Sequence, residues 1–380
     1  MTEISELKLI NDIEDLSNEF KLKYGIAPFN LSDWNPSEEF NTYMKSKVMY
    51  YGTNINAANY AFSYSIEPSI VNDLQMKLCG EQINSGSLIT HSGSSSIYNV
   101  INWLHKCGCE KLAVICPVYF TVEYACKNFN IEFNKFFLER NSERFFVSDS
   151  IKQEIELYNY VWVTNPIYCT SMYYDDSLLA FFRRLLDKGK ILIFDESLCE
   201  PGKEIVRRLG TSENVIGIYA PHKSICFNGI KFSMIIFDKK YQNFYEQWAD
   251  ILNGCLSVSN IKAINNYLSK SYTNYHLYLK QKNNDTIEFI EQLCNKYDVQ
   301  YDKSASGYLI SLYFPNILAE AGLDLTFIRK IIYECEVSLI PGIRNHFNNT
   351  YGFAFRINLC ADNDRFRISL ERLIRFLKNM

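Results

Sequence analysis

The sequence predicts an α/β protein with a large domain, whose mostly parallel sheet lies between helices, and a smaller α+β C-terminal domain. Two patterns support this prediction. From about residue 85 to residue 240, short β-branched or aromatic runs alternate with segments of helical periodicity. Past residue 256 the pattern changes to long helical segments, followed by strands and further helices. Strand–helix alternation implies crossover connections, which produce parallel strands.

Five runs in the alternating region have the length and composition of buried strands, at 112–116, 160–164, 190–194, 215–219 and 231–237. A helix with one apolar face is predicted over Ser177–Leu186. Because ligands of such sheets bind just past the carboxyl ends of the strands, site residues are expected there.

The C-terminal region predicts a separate unit. Its helices are expected at 260–278, 283–296, 323–336 and 364–378, and its strands at 306–314 and 353–359. We therefore predict an N-terminal arm over 1–45 that joins the small domain or covers the site, a large domain over 46–255 and a small domain over 256–380.

Composition excludes several classes of function. The 380 residues are 47% hydrophobic and 22% charged, and no apolar run approaches the roughly 20 residues that span a bilayer. A net charge of −4 gives no electrostatic footprint for nucleic acid. The acidic N-terminus lacks signal-peptide features, and the cysteines lack zinc-type spacing, so a cytoplasmic location with reduced, structural thiols is expected. The expected partner is a small molecule or a second copy of the chain.

One lysine and one acid point to a particular chemistry. Asp195 closes the apolar run Ile191–Phe194, and Lys223 lies on the loop after the next predicted strand. A pyridoxal phosphate (PLP) enzyme needs these two groups, the lysine as Schiff base and the acid as partner of the pyridinium nitrogen. The alternative is an acid that caps a helix or pairs with a surface lysine.

Several short segments now resemble the class I and II aminotransferase family of fold type I PLP-dependent enzymes. The resemblance extends from about Phe29 to the C-terminus, in the family's order and roughly its spacing. Its segments are Phe29–Pro36 ("inLxxGxP"), Thr90–Ser96 (phosphate-binding turn), Pro117–Tyr119 ("PxY"), Thr164–Pro166 ("NPxNPTG"), Asp195–Glu196 ("DExY"), and Pro341–Gly342 with Phe355–Ile357 ("PGxxF...yiRl").

This resemblance implies an aspartate-aminotransferase-like fold with a seven-stranded type of sheet, PLP as cofactor, and a homodimer with sites at the subunit interface. It implies that Lys223 forms the Schiff base and then moves the Cα proton, while Asp195 holds the ring-nitrogen proton. Asn165 is expected to donate to the ring O3′ and to lie near substrate, and Tyr119 to stack on the ring. Asn165 is alternatively a turn former before proline.

The resemblance also implies which residues bind the cofactor phosphate and the substrate carboxylate. Backbone N–H groups of Gly93, Ser94 and Ser95 would cradle the phosphate at the start of a helix, although Gly-Ser-Ser-Ser is otherwise only a turn and an N-cap. Tyr64 is the candidate that reaches the neighbouring subunit's phosphate. Arg356 is the candidate clamp for the α-carboxylate, because a guanidinium pairs with both oxygens.

Five positions depart from the family's pattern. Lys231 stands in place of a phosphate-binding arginine, and Ala220 replaces a serine. His222 stands immediately before the lysine. It has three possible roles: contact with the phosphate, action as a second acid or base, or a structural imidazole bound to a backbone carbonyl. Leu198 replaces a tyrosine that bonds O3′. Trp34 replaces a glycine near the substrate, so that it narrows the pocket or points away on a shifted arm.

Three hypotheses follow for function. The first is transamination between an amino acid and an oxo acid. The second keeps PLP but breaks or forms another bond, by elimination or replacement, decarboxylation, oxidation or carbon–carbon bond formation, and is motivated by Leu198, Ala220 and Trp34. The third is a catalytically silent protein of this fold that binds or regulates, against which the retained Lys223 argues.

Overall fold

The computed structural model describes residues 5–47, 68–80, 85–141, 144–200, 202–211, 213–254, 256–270, 272–303 and 307–380. Its α-helices are α1 (Ser5–Tyr24), α2 (Glu38–Lys47), α3 (Pro68–Cys79), α4 (Gly93–Lys106), α5 (Thr121–Asn128), α6 (Asp149–Ile155), α7 (Asp176–Asp187), α8 (Ile205–Leu209), α9 (Gln242–Asn253), α10 (Val258–Lys270), α11 (Tyr272–Tyr297), α12 (Leu325–Cys335) and α13 (Asp364–Lys378). Within these ranges, no helix is both long and apolar enough to cross a membrane.

The strands form a large central sheet and smaller ones. They are β1 (Phe29–Asn30), β2 (Ser85–Thr90), β3 (Lys111–Cys116), β4 (Glu132–Phe137), β5 (Glu139–Arg140), β6 (Phe145–Phe146), β7 (Tyr160–Thr164), β8 (Ile191–Asp195), β9 (Val215–Tyr219), β10 (Ser233–Asp238), β11 (Gln300–Tyr301), β12 (Leu309–Phe314), β13 (Val337–Ser338) and β14 (Phe353–Asn358).

Within the described part of the chain, seven strands form the central sheet in the order β2-β10-β9-β8-β7-β3-β4. Strands β3, β4, β7, β8 and β9 pair in parallel, and β10 is antiparallel to both of its neighbours. The predicted α/β architecture with a mostly parallel, seven-stranded sheet is therefore confirmed. The predicted strands of this region are found within one or two residues of their expected bounds, with the start of β10 at Ser233.

The sheet is buried on both faces, because alternate residues of a strand point to opposite sides. On β7, Val161 and Val163 belong to one hydrophobic core, while Trp162 packs into the second core against α4 and α5. On β8, Phe194 belongs to the first core and Ile193 to the second. This alternation decides which side chains at the strand ends face α4.

The C-terminal region differs from the prediction at its first two helices, which were expected at 260–278 and 283–296 and are α10 (Val258–Lys270) and α11 (Tyr272–Tyr297). The segment 272–297 is one continuous helix, α11, although a break was expected near residue 280. Asn283 does not interrupt it, because this side chain is buried and its amide lies beside the Cys360 thiol. The strand at 309–314 pairs antiparallel with β14, and α13 has its predicted bounds.

The N-terminal helix packs against the C-terminal region. Phe20 of α1 meets the Tyr333 ring of α12 edge-on at a centroid distance of 5.5 Å, and Glu19 forms an ion pair with Arg329 at 3.0 Å. Strand β1 pairs in parallel with β13 through Phe29 and Val337. The domain limits at residues 45 and 255 remain a prediction.

Candidate functional site

A pocket lies where the carboxyl ends of β7, β8 and β9 meet the N-terminus of α4. The loop between β9 and β10 closes one side of it, and the segment after β3 closes another. The cavity has a volume of about 260 Å³. It brings together most of the residues predicted from the sequence, since its lining includes Trp34, Gly93, Ser94, Tyr119, Asp195, Lys223 and Lys231.

Strand alternation places Asp195 on the α4 side of the sheet. Asp195 follows Phe194 and therefore points to the same side as Ile193, which packs in the α4 core. Its Cα pairs across the sheet with that of Thr164, which points to the same side for the same reason. Both side chains are at most 5% exposed, and both line the pocket.

The Lys223 ammonium lies against the first residue of α4. A Cβ atom at Gly93 would stand 3.0 Å from Lys223 Nζ and 3.3 Å from Ser197 Oγ, so that a larger residue there would press on the lysine. Burial lowers the pKa of Lys223, Asp195 opposes this shift, and Lys231 adds to it. Burial raises the pKa of Asp195, against the lowering effect of Ser197 and Lys223. The pocket thus holds a buried amine of lowered pKa together with a carboxyl group whose charged form is stabilised by that amine's positive charge.

The start of α4 presents backbone donors to the pocket. Ser92 is the N-cap, and its hydroxyl oxygen accepts the Ser95 N–H at 3.2 Å. The N–H groups of Gly93 and Ser94 have no helical acceptor at this position and border the cavity. Ser95 was predicted to join them, but its N–H is used by the cap, and within the described chain the cavity lining includes Ser92 instead.

The structure does not bring Asn165 into the pocket, contrary to the prediction. Asn165 follows Thr164 and therefore points to the opposite side of the sheet. There its amide donates to Glu196 Oε1 at 2.8 Å and to the Lys203 carbonyl at 3.2 Å. The expected donation from Asn165 to a ring oxygen is incompatible with this orientation.

Two hydroxyls that the sequence reasoning missed occupy this end of the pocket. Thr164 Oγ1 is buried and has no hydrogen-bond partner among the described residues. The Tyr168 hydroxyl accepts a hydrogen bond from Arg356 Nη1 at 3.1 Å, and Tyr168 lines the pocket. A signal for Tyr168 was present, because laying NPxNPTG on residues 165–171 puts the pattern's second asparagine there. Ser171 then falls on the pattern's glycine, in agreement with its φ of +53°.

The carboxyl groups behind the sheet predict a pH dependence of stability. Burial raises the pKa of Glu196 to about 8 and that of Glu204 to about 7, above the roughly 4.3 of an unfolded glutamate. At these two carboxyl groups the folded protein therefore keeps its protons to a higher pH than the unfolded chain, so the stability that they contribute declines as pH rises from about 5 to 8. Thermal unfolding of the wild type and of Glu196→Gln across that range measures this decline, and the variant should lose less stability than the wild type as pH rises.

An exposed acid provides the control for this prediction. Glu110→Gln should leave the decline unchanged, because Glu110 is exposed and lies away from this cluster. A pH dependence of the melting temperature that is the same in Glu196→Gln as in the wild type would contradict the assignment.

His222 lines the pocket as a neutral imidazole. It is 2% exposed, and its Nδ1 has no hydrogen-bond partner among the described residues. Burial lowers its pKa to about 3, with further lowering by Lys223 and Lys231. Action as an acid or base near pH 7 is therefore incompatible with this environment, and a backbone carbonyl does not satisfy Nδ1. Contact with an anion at this end of the pocket is the alternative that remains.

Arg356 lies next to the pocket but not in its lining. It is 3% exposed, and its Nη2 donates to the Ser32 carbonyl at 3.0 Å. Its guanidinium carbon lies 4.0 Å from the centroid of the Trp34 ring, which does line the pocket. Trp34 thus narrows the pocket, which was one of its two predicted roles. The remaining predicted site residue, Tyr64, lies outside the described residues.

Comparisons with known proteins identify the fold. No family model and no curated protein sequence matches the chain. Aspartate aminotransferase from Thermotoga maritima superposes with a TM-score of 0.74 at 15% identity, over 99% of this chain and 97% of that one. A PLP-bound C–S lyase from Staphylococcus hominis superposes with a TM-score of 0.71 at 14% identity, over 93% and 91%. The chain therefore has the aspartate-aminotransferase-like fold that the sequence predicted.

Proposed function

We propose that the chain is a PLP-dependent enzyme that acts on the amino group of a small molecule, with Lys223 as the residue that carries the cofactor. The observation that carries this proposal is the placement of Lys223 and Asp195 in one pocket at the start of α4. The resemblance of the sequence and the aminotransferase fold support it independently.

The polar groups of the pocket fit PLP. A phosphate is matched by the Gly93 and Ser94 N–H groups at the positive end of α4, and by the Lys231 ammonium. The unpartnered Nδ1 of His222 supplies a further polar contact. A pyridine nitrogen is matched by Asp195, whose carboxylate is stabilised by a neighbouring cation. Thr164 and Tyr168 offer hydroxyl donors for a ring oxygen, and Tyr119 offers an aromatic face.

When bound, PLP supplies an electron sink that weakens the bonds to the amine-bearing carbon of a substrate. The chain's own residues supply the rest. Lys223, with its lowered pKa, accepts and returns the proton of that carbon through Nζ. Asp195 keeps the ring nitrogen protonated, and the apolar side chains of Trp34 and Leu198 restrict water at the pocket.

Transamination is the reaction we propose. It needs an acid–base group that moves one proton between two carbons, and this is the role that we propose for the Lys223 amine. A second candidate is a non-transaminating reaction such as elimination. The absence of a tyrosine at Leu198 favours it, and so does the likeness to a C–S lyase.

We propose further that the protein is a cytoplasmic homodimer, with Tyr64 reaching the neighbouring subunit's phosphate. The domain limits proposed above, at residues 45 and 255, belong to the same arrangement. Sedimentation of the PLP-loaded protein would measure the assembly directly.

A single-turnover assay tests the proposed reaction. PLP-loaded protein is mixed with one amino donor at a time and no oxo-acid acceptor, and the cofactor is then released by denaturation. Transamination is expected to convert one equivalent of cofactor to pyridoxamine 5′-phosphate, with an equal amount of carbonyl product. Unchanged PLP together with ammonia or carbon dioxide would contradict transamination and support the second candidate.

A further inference from the structure

The Arg356 guanidinium is already engaged by the protein. Nη1 donates to the Tyr168 hydroxyl at 3.1 Å, and Nη2 donates to the Ser32 carbonyl at 3.0 Å. The Trp34 ring covers one face of the guanidinium, with 4.0 Å between the guanidinium carbon and the ring centroid. A carboxylate binds arginine strongly through two parallel hydrogen bonds. Here each of the two terminal nitrogens already donates one of its two N–H groups to a protein oxygen.

Trp34 and Tyr168 separate Arg356 from the cavity. Both line the cavity, whereas Arg356 does not line it and is 3% exposed. The backbone under Trp34 is held in place, because Asn228 Nδ2 donates to the Trp34 carbonyl at 2.7 Å. Asn358, two residues after Arg356 on β14, donates to the neighbouring Asp33 carbonyl at 3.0 Å. A ligand therefore meets the ring of Trp34 before it meets the arginine.

Among the described residues that line the cavity, the other cations already have roles. Lys223 carries the reacting amine chemistry, and Lys231 is placed for the phosphate. His222 is neutral, as described above. The lining also includes five apolar or aromatic residues, Trp34, Ile97, Tyr119, Leu198 and Ile230, beside uncharged polar residues such as Asn228. This part of the lining favours an apolar body and provides no cation for a carboxylate.

We propose that Trp34 and Tyr168 withhold Arg356 from the substrate, and that this pocket takes primary amines with an apolar or aromatic body and no carboxylate on the amine-bearing carbon. The choice of an amine rests on the proposed function. The shielding of Arg356 does not, since it depends only on contacts within the chain.

A matched pair of compounds tests the substrate class. 2-Phenylethylamine and L-phenylalanine share a side chain and an amino group and differ only in the carboxylate. Each compound is added separately to PLP-loaded wild-type protein. 2-Phenylethylamine is expected to change the visible spectrum at least 100-fold faster than L-phenylalanine. Trp34→Gly should raise the rate with L-phenylalanine at least 10-fold, whereas Trp34→Phe, which keeps an aromatic cover, should not.

A binding measurement tests the shield without turnover. Titration calorimetry with 3-phenylpropanoate, a carboxylate without an amine, should give no measurable binding to the wild type. Trp34→Gly should bind 3-phenylpropanoate measurably. The double variant Trp34→Gly/Arg356→Lys should bind it at least 10-fold more weakly than Trp34→Gly. Thermal unfolding is used to check that each variant is folded. If Trp34→Gly is not folded, Trp34→Ala replaces it in the experiment.

The possible results distinguish failure of the proposed function from failure of the substrate class and of the shielding of Arg356. Equal rates with both compounds in the wild type, or wild-type binding of 3-phenylpropanoate that Arg356→Lys removes, would overturn the inference and leave the proposed function standing. A spectrum that neither compound changes, in protein that holds PLP on Lys223, would overturn the substrate class, whereas failure of Lys223 to bind PLP would overturn the proposed function. Failure of folded Trp34 variants to gain carboxylate binding would overturn the shielding role.

Discussion

Replacing Lys223 with alanine is expected to abolish turnover of any amino donor, by about 10³-fold or more, and to prevent covalent attachment of PLP. The same Nζ atom is proposed to hold the cofactor and to move the substrate proton, so one substitution removes both functions. Steady-state rates and the visible spectrum of the PLP-mixed variant measure the two losses separately. The substitution also removes the cation that lowers the pKa of buried Asp195, so some loss of stability is expected, and thermal unfolding is used to show that the variant is folded before its activity is compared.

A matched lysine provides the control for this prediction. Lys239, an exposed residue after β10, can be changed to alanine without touching the pocket, and its variant should keep full activity. Full activity in a folded Lys223→Ala variant would contradict the assignment. Unchanged cellular function of that variant would favour the third hypothesis, a protein that binds or regulates without catalysis.

Replacing Asp195 with asparagine is expected to lower kcat by roughly 10²- to 10³-fold, the size of effect seen when one preorganised electrostatic group is removed. Asparagine has nearly the same shape and retains an oxygen for the Ser197 N–H, which donates to Asp195 Oδ1 at 3.2 Å. The change therefore removes the charge that keeps a pyridine nitrogen protonated, and little else. PLP affinity, measured by fluorescence titration, should fall far less than kcat.

Two further variants make the Asp195 prediction specific. Asp195→Glu restores the charge and should recover part of kcat. Asn165→Ala, on the opposite side of the sheet, should lower thermal stability, because it leaves buried Glu196 without its amide partner, but should change PLP affinity little. A loss of kcat in Asn165→Ala as large as that in Asp195→Asn would show that the pocket is assigned to the wrong side of the sheet.

The large sheet could be predicted from sequence because its strands are continuous apolar runs bounded by turn residues. The acid at the end of β8 and the lysine after β9 could be predicted as a pair, because PLP chemistry needs both groups and ligand residues lie past the carboxyl ends of parallel strands. The N-terminus of α4 was recognisable from its glycine and serines. These features depend on neighbours in the sequence, which is why local patterns reveal them.

The errors have different physical causes. Asn165 was chosen because Thr164–Pro166 resembles the NPxNPTG loop, whereas the direction of successive side chains at the end of β7 places Thr164 in the pocket instead. The burial of Arg356 could not be predicted, because Trp34 lies on a distant part of the chain and meets it only through the tertiary fold. The continuous α11 differs from the expected pair of helices because buried contacts of Asn283 outweigh its weak helix propensity.

The most direct test of the account is to reduce the PLP-loaded protein with borohydride and map the modified peptide by mass spectrometry. Reduction makes a lysine–PLP linkage permanent, so the site of attachment is read without any assumption about substrate. We predict one phosphopyridoxyl group per chain, on Lys223. Attachment at Lys231 or another lysine, or no attachment in protein that has been saturated with PLP, would contradict the central claim.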